Sequence, residues 1–196
     1  MAQKLLITGF EPFGKETINP SWEAVRLLPD RVGNVAVTRL LVPTVFGLAT
    51  ETVLAKAMEL QPDAILCVGQ AGGRSAVTPE VIGINLREAS IPDNAGRQPL
   101  GDPVVKGGPA AYFATLPVRE MVQAIRAENL PGALSYSAGA FVCNDLLYSL
   151  LHHSEGTPVR VGFAHVPFLP QQARQSVPSL PLEDIVRALT AAIGAL

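Results

Sequence analysis

Short apolar stretches rich in branched residues alternate along this chain with segments of helical period, and this alternation limits the fold more than any other feature. The predicted strands cover residues 4–8, 35–41, 64–69, 81–86, 133–137 and 159–164. Apolar strands separated by helices are typical of an α/β domain whose mostly parallel sheet is buried. Because no repeat, linker or low-complexity tract interrupts the pattern, the sequence predicts a single domain over residues 1–196.

The helices between these strands are predicted from their apolar spacing and from one capping signal. Asn19 precedes Pro20, and proline is favoured in the first turn of a helix, so we expect a helix to begin there. The other predicted helices cover residues 46–60, 117–129, 144–153 and 182–196. Each presents an apolar stripe, which indicates packing against the sheet.

Composition and charge argue against two classes of partner. The chain has 15 basic and 17 acidic residues, a net charge of −2, so it lacks the basic excess that binds a phosphate backbone. No run approaches the roughly 20 apolar residues that cross a bilayer. We therefore expect a soluble, cytoplasmic protein with no nucleic-acid and no membrane partner. In that reducing compartment its two cysteines are expected to be unpaired thiols.

The longest stretch without clear periodicity covers residues 89–108 and is rich in proline and glycine. A loop of this length in a compact domain is usually functional. We expect it to be a lid or an interface arm, with disorder as the alternative.

The two cysteines have different predicted surroundings. Cys67 lies within the apolar strand 64–69, where a thiol is desolvated, protonated and inert. Cys143 directly precedes helix 144–153, and the unpaired N–H groups and positive dipole at a helix N-terminus favour a thiolate. On position alone, Cys143 is either a nucleophile or a small packing residue. A base has to be identified to decide between them.

The candidate base is His165, which follows the apolar strand 159–164. Helix 144–153 would connect this strand to a parallel strand at 133–137 in a βαβ unit. The carboxyl ends of such strands meet at one edge of the sheet, where ligands of open α/β sheets bind. We therefore expect Cys143 and His165 to converge at this edge.

A carboxylate should orient the imidazole of His165 by accepting a hydrogen bond from its other nitrogen. The candidate carboxylates are Glu80, Asp93, Asp102 and Asp145. Glu80 is favoured because it borders an apolar segment, where a carboxylate is costly unless it is paired. Asp145 already has a capping role in the first turn of its helix.

Other patterns in the sequence carry weaker signals. His152 and His153 end helix 144–153, where histidines interact with the last carbonyl groups, and adjacent helical residues cannot point in one direction. No spacing typical of metal ligands is present, so no metal site is expected. The glycine-rich turn 69–73 matches neither the dinucleotide-binding nor the P-loop motif.

Four blocks of the sequence resemble the pyroglutamyl peptidase I family, also called pyrrolidone-carboxylate peptidases. The blocks cover residues 5–14 with 19–21, 91–96, 134–144 and 163–167. The segment Leu134-Ser135-Tyr136-Ser137-Ala138-Gly139-Ala140-Phe141-Val142-Cys143-Asn144 resembles the nucleophile signature of that family. The glutamate box around Glu80 is matched less well, because Val81 stands where the family has a basic residue and Gly83 where it has alanine.

This resemblance implies both a fold and a reaction. The implied fold is a three-layer α/β/α arrangement around an open, mostly parallel, twisted sheet. The implied activity is that of a cysteine exopeptidase that removes N-terminal pyroglutamate (5-oxoproline) from peptides by thiolate attack and through an acyl-enzyme intermediate. Cys143 would be the nucleophile, His165 the base and Glu80 the orienting acid. The resemblance further implies a homodimer or homotetramer and no cofactor.

The resemblance also assigns a substrate pocket. Phe10 and Phe13, with Phe141 beside the nucleophile, would hold the lactam ring, and Gln70 would make a polar contact. The alternative is that these rings pack in the core. We favour the pocket because Phe10 and Phe13 lie in a loop bounded by glycine and proline, where large rings are less easily buried.

Two other functions remain compatible with the residues themselves. One is a non-catalytic module that binds a small molecule at the turn 69–73, with Cys143 as a redox-sensitive thiol. The other is a different α/β cysteine hydrolase, for example an amidotransferase-like domain. Alkylation of Cys143 accompanied by loss of turnover would exclude the binding module.

Overall fold

A central sheet organises the computed structural model of the protein, which describes residues 2–174 and 176–196. The strands are β1 (Gln3–Phe10), β2 (Arg31–Val32), β3 (Val35–Val42), β4 (Ala64–Gln70), β5 (Thr78–Pro79), β6 (Ile82–Ile84), β7 (Arg87–Glu88), β8 (Leu100–Asp102), β9 (Ala111–Phe113) and β10 (Arg160–Val166). The helices are α1 (Pro20–Val25), α2 (Leu48–Leu60), α3 (Val118–Ala127), α4 (Val142–Ser154) and α5 (Leu182–Gly194).

The six strands of the main sheet have the order β2-β3-β1-β4-β10-β5. Strands β1, β3, β4 and β10 run parallel, whereas β2 and β5 pair antiparallel at the two edges. The expected open and mostly parallel sheet is therefore confirmed. Two short antiparallel pairs, β6 with β9 and β7 with β8, lie outside this sheet.

Alternating side chains of the central strand divide the core into two layers. Leu5 and Ile7 pack in the cluster that includes residues of α1, α3 and α5. Leu6 and Phe10 pack in the cluster that includes residues of α2 and α4. Successive side chains of a strand point to opposite faces, so helices cover both sides and the three-layer α/β/α fold is confirmed. Within the described residues, no helix is both long and apolar enough to cross a membrane.

Four of the predicted strands are confirmed, and the other two differ from the sequence prediction. Residues 81–86 form only the short β6, which pairs with β9 outside the main sheet. Residues 133–137 do not form a strand: Ser135 makes only an isolated bridge to Glu80. Here the Ser135 hydroxyl bonds to the Ser137 carbonyl, and the Ser137 hydroxyl accepts from the Gly139 N–H. Such local side-chain bonds compete with a strand ladder.

The start of α4 determines where Cys143 lies in the helix. The predicted cap of α1 is confirmed, because the Asn19 side chain accepts a hydrogen bond from the Ser21 N–H. Helix α4 begins at Val142, before the predicted start at residue 144, and Cys143 therefore lies within its first turn.

The long loop 89–108 is held against the rest of the protein by Asp93 and Asn94. The carboxylate of Asp93 accepts hydrogen bonds from the backbone N–H groups of Phe46, Ala95 and Arg97. The Asn94 side chain donates to the Pro12 carbonyl. These contacts place the loop beside the segment that follows β1, and its role as a lid or an interface arm stays a prediction.

The side chain of Asn144 fixes the start of α4. Asn144 is fully buried, and its amide accepts from the Ile84 N–H and donates to the carbonyl groups of Ile84 and Leu86. These bonds attach the residue next to Cys143 to the segment around β6. Helix α4 thereby has a fixed position against that segment.

We predict that Asn144→Ala lowers the free energy of unfolding by about 1–3 kcal/mol, because it leaves buried backbone groups without partners. Gln123→Ala removes an exposed amide from α3 and should change it by less than about 0.5 kcal/mol. Unfolding by urea measures the free energy of unfolding of both variants and of the unmodified protein. Equal effects of the two substitutions would contradict this role of Asn144.

Candidate active site

The site lies at the edge of the sheet where β1, β4 and β10 end. A cavity of about 380 Å³ opens there. It is lined by Phe10, Phe13, Asn19, Thr44, Gln70, Ala71, Gly72, Arg74, Ser137, Ala138, Gly139, Phe141, Cys143 and His165. Cys143 and His165 therefore border one cavity, which agrees with the predicted convergence.

A buried acid–base pair forms one wall. Nδ1 of His165 lies 2.7 Å from Oε1 of Glu80, and Glu80 has no exposed surface. The pair is brought together because the antiparallel register of β5 and β10 sets Thr78 opposite His165. A carboxylate can only accept, so Nδ1 carries the hydrogen and Nε2 of the neutral imidazole remains an acceptor.

Gly69 makes room for the thiol beside the imidazole. A Cβ atom on Gly69 would lie 2.8 Å from Sγ of Cys143 and 2.8 Å from the Phe163 ring. Gly69 is also the register partner of His165 in the pairing of β4 with β10. Partners on adjacent strands are about 5 Å apart and project to the same face. The Cys143 thiol is therefore adjacent to the His165 side chain.

The route by which Cys143 reaches this position differs from the prediction. The sequence predicts a strand at 133–137 beside the strand of His165. In the structure the neighbours of β10 are β4 and β5, and Cys143 arrives from an irregular loop through the first turn of α4. The βαβ unit was wrong, although the convergence at the sheet edge was right.

Arg74 belongs to the site and was missed by the sequence analysis. Its Nη1 donates to Oε1 of Glu80 at 2.7 Å and also to Oγ1 of Thr78, and its Nη2 donates to the Ser137 carbonyl at 3.0 Å. Its position directly after the glycine-rich turn, six residues before Glu80, is the only sequence signal of Arg74.

Burial and charge determine the protonation of the three groups. Burial, with the charge of Glu80, raises the pKa of the Cys143 thiol more than Arg74 lowers it. Burial lowers the pKa of His165 below 6.5, although the hydrogen bond to Glu80 opposes this. Burial alone would raise the pKa of Glu80, but the bond from His165 and the charge of Arg74 lower it below 4.5. The resting site holds a thiol, a neutral imidazole and a carboxylate.

Two influences act on the Cys143 thiol in opposite directions. The helix N-terminus favours the thiolate. Desolvation of the thiol and the nearby carboxylate of Glu80 raise its pKa. A thiol with a raised pKa would have to give up its proton before it could act as a nucleophile.

Three aromatic rings form the apolar part of the cavity. The ring centres of Phe13 and Phe141 are 5.8 Å apart, and Phe46 supports Phe141 edge-on at 5.3 Å. Phe10 does not lie in a loop as predicted: it is the last residue of β1, is 2% exposed and packs on Phe163. Phe10 therefore serves the core and lines the cavity at the same time.

Gln70 ends β4 at the cavity, where a second glutamine holds it. Its Oε1 accepts a hydrogen bond from Nε2 of Gln172 at 3.1 Å. Gln172 also donates to Oε2 of Glu16 at 2.8 Å. Sequence analysis missed Gln172, because nothing local distinguishes it from a surface glutamine.

The other candidate residues have structural partners elsewhere. Nε of Arg87 donates to the buried Asp145, and Asp102 is exposed in β8. Nδ1 of His152 lies 2.8 Å from the Tyr112 hydroxyl, and Nδ1 of His153 lies 2.8 Å from the Ser149 carbonyl.

Cys67 is fully buried, as its strand predicted, and burial raises the pKa of its thiol to about 12. Within residues 2–174 and 176–196, no cluster of three or more His, Cys, Asp or Glu side chains could hold a metal ion.

Comparison with known proteins assigns the chain to a family. The family model described as pyroglutamyl peptidase matches residues 3–196. The chain belongs to the pyroglutamyl peptidase family. It is 52% identical to the pyrrolidone-carboxylate peptidase of Levilactobacillus brevis, covering 98% of this chain and 97% of that protein.

Solved structures of the same family share the fold. The pyroglutamyl peptidase I of Bacillus amyloliquefaciens matches with a TM-score of 0.96 at 48% identity, covering 100% of this chain and 95% of that one. The pyrrolidone carboxyl peptidase of Thermococcus litoralis matches with a TM-score of 0.93 at 35% identity, covering 98% and 92%. Membership of this peptidase family favours the enzyme over the non-catalytic binding module and over another class of cysteine hydrolase.

We predict that iodoacetamide labels Cys143 and spares Cys67 in the native peptidase, because only Cys143 borders the cavity. Since the pKa of the Cys143 thiol is raised, its labelling rate should keep rising between about pH 7 and pH 9. Mass spectrometry identifies the labelled peptide, and labelling in urea, where both thiols react, is the control. A rate that is already constant below about pH 8 would indicate a preformed thiolate and contradict this account.

Proposed function

We propose that this peptidase removes N-terminal pyroglutamate from peptides, with Cys143 as nucleophile, His165 as general base and Glu80 as the acid that orients His165. The observation that carries the proposal is the bond between His165 and the buried Glu80, next to a cysteine in the first turn of a helix. A nucleophile, a base and an orienting carboxylate in this order form the constellation of acyl-transfer enzymes. The family to which the chain belongs supports the same reaction.

The first half of the reaction forms a thioester. Sγ of Cys143 attacks the carbonyl carbon of the pyroglutamyl residue while Nε2 of His165 takes the thiol proton. The carbonyl oxygen becomes an oxyanion, and the N–H groups in the first turn of α4 are suited to stabilise it, because they have no acceptor within the helix. The imidazolium then gives its proton to the leaving amine. The shortened peptide departs and leaves pyroglutamyl bound to sulfur.

The second half hydrolyses the thioester. Water attacks the acyl carbon while Nε2 of His165 accepts one of its protons. The carbon–sulfur bond breaks, the proton returns to sulfur, and free pyroglutamate leaves. Throughout both halves Glu80 keeps the hydrogen of the imidazole on Nδ1 and balances the transient positive charge.

The cavity suits a neutral ring. A pyroglutamyl residue is a lactam with an apolar edge and carries neither an ammonium nor a carboxylate. Phe10, Phe13 and Phe141 offer apolar faces to that edge, and Gln70 offers an amide to the lactam. We propose these four residues as the substrate-binding set.

We further propose that residues 1–196 act as one peptidase domain and assemble as a homodimer or homotetramer in the cytoplasm. Two large apolar side chains are available for a contact between subunits: Leu100 is 82% and Phe113 71% exposed. Sedimentation equilibrium of the purified protein would report the subunit number.

We predict that Cys143→Ser abolishes turnover of a pyroglutamyl anilide and that His165→Ala lowers kcat by roughly 10²–10⁴-fold, because it removes the general base. Glu80→Gln should cost less, since Glu80 orients the base without transferring the proton. Cys67→Ser and His152→Ala are the matched controls and should retain turnover. If His152→Ala were the inactivating substitution, or Cys143→Ser were fully active, the assignment would be wrong.

We predict that glutamyl and glutaminyl anilides are hydrolysed more than about a thousandfold less efficiently than the pyroglutamyl anilide. Enclosing an unpaired ammonium or carboxylate among aromatic rings costs several kcal/mol. The prolyl anilide should fail by roughly 10⁴-fold, because it lacks the lactam carbonyl and gains a charge. The measurement is kcat/KM for the four anilides under one condition. Comparable turnover of the prolyl or glutaminyl substrate would show that the neutral aromatic cavity does not determine which substrate is hydrolysed.

A further inference from the structure

Arg74 contacts three separate parts of the site. Its guanidinium reaches Oε1 of Glu80, the hydroxyl of Thr78 on β5, and the carbonyl of Ser137 in the loop that leads to the nucleophile. The side chain is 26% exposed, whereas the carboxylate that it contacts is fully buried. We propose that Arg74 is a positioning residue for the reaction, acting on His165 through the carboxylate oxygen that both side chains share. This inference rests on the proposed function.

Arg74 and His165 both donate to the same carboxylate oxygen. Nδ1 of His165 and Nη1 of Arg74 each lie 2.7 Å from Oε1 of Glu80. A buried carboxylate needs a positive partner. With Arg74 present, the guanidinium supplies that charge and the imidazole can remain neutral. Without it, the imidazole is the nearest group able to supply a positive charge, and it would do so by keeping a second proton.

A protonated imidazole cannot act as the base. His165 must accept the thiol proton at Nε2, so a second proton held there in the resting enzyme blocks the first step. The charged and titratable groups that act on His165 are Glu80 and Arg74, and Cys143 lines the same cavity. Glu80 favours the imidazolium and Arg74 opposes it. Arg74 therefore keeps the base ready for proton transfer.

Arg74 also links the acid to the nucleophile loop. Its Nη2 holds the Ser137 carbonyl, and Ser137 lies six positions before Cys143. Arginine presents five donors in a rigid fork, so one side chain can bond to the carboxylate and to this carbonyl together. A lysine would keep the charge and lose part of this geometry.

The first test is the pH profile of kcat/KM on the pyroglutamyl anilide. In the unmodified peptidase the acid limb should lie below about pH 6.5, because activity is lost as falling pH protonates His165. Arg74→Met should move that limb to higher pH by about one unit, a roughly tenfold loss at pH values on the limb. Arg74→Lys retains the positive charge, so its acid limb should lie close to that of the unmodified peptidase.

A second arginine provides the structural control. Arg87 pairs with another fully buried carboxylate, Asp145, with Nε 2.6 Å from Oδ1. Arg87→Met should lower stability without moving the acid limb. A limb that moves equally in Arg87→Met and Arg74→Met, or that does not move in Arg74→Met, would overturn the proposal.

A double-mutant cycle tests whether Arg74 acts through Glu80. In a Glu80→Gln background, Arg74→Met should change kcat/KM by less than about threefold, since the shared carboxylate is already gone. An effect as large as in the unmodified background would mean that Arg74 acts by another route, such as its contact with Ser137 or a contact with the substrate, and the proposal would be wrong.

A readout that does not depend on turnover separates this inference from the proposed function. NMR follows the titration of the His165 imidazole, one of three histidines in the chain, in the unmodified protein and in Arg74→Met. A higher pKa in Arg74→Met supports the inference even if no anilide is hydrolysed, a result that would refute only the proposed function. An unchanged pKa overturns the inference. If Arg74→Met does not fold, the same titration is made on Arg74→Gln, where a higher pKa of His165 supports the inference and an unchanged pKa overturns it.

Discussion

The hydrogen bond between His165 and the buried carboxylate of Glu80 is the constraint on which the rest of the site depends. A carboxylate with no exposed surface stays ionised only when donors and charges replace its hydration. The fold supplies them from two directions, the imidazole on β10 and the guanidinium of Arg74 after β4. Because Nδ1 is thereby committed to Glu80, the second ring nitrogen is the one that remains for the thiol.

Burial gives this site its protonation state as well as its geometry. The start of α4 favours a thiolate at Cys143, but desolvation of the sulfur and the charge of Glu80 favour the thiol. Burial likewise favours the neutral imidazole of His165. In the proposed reaction the proton therefore moves from sulfur to nitrogen as the carbonyl is attacked, a step that requires the two atoms to be adjacent. The missing side chain at Gly69 is what allows that adjacency.

The sheet could be predicted from sequence wherever a strand is rich in apolar residues, as β1, β3, β4 and β10 are. The segment 133–137 contains two serines, and the prediction failed there because their hydroxyls bond to nearby backbone groups. In the site, residue chemistry alone favoured Glu80 over three aspartates. Arg74 could not be found this way, since an arginine directly after a glycine-rich turn has the sequence signature of a solvated side chain.

In the proposed mechanism Cys143 acts beside an imidazole oriented by Glu80, on a lactam ring held by aromatic side chains. A crystal structure of the protein with a pyroglutamyl aldehyde would test this mechanism. We expect a covalent bond from the aldehyde carbon to Sγ of Cys143, the ring against Phe13 and Phe141, and Nδ1 of His165 still bonded to Glu80. An aldehyde bound without a bond to Cys143, or an imidazole turned away from Glu80, would contradict it.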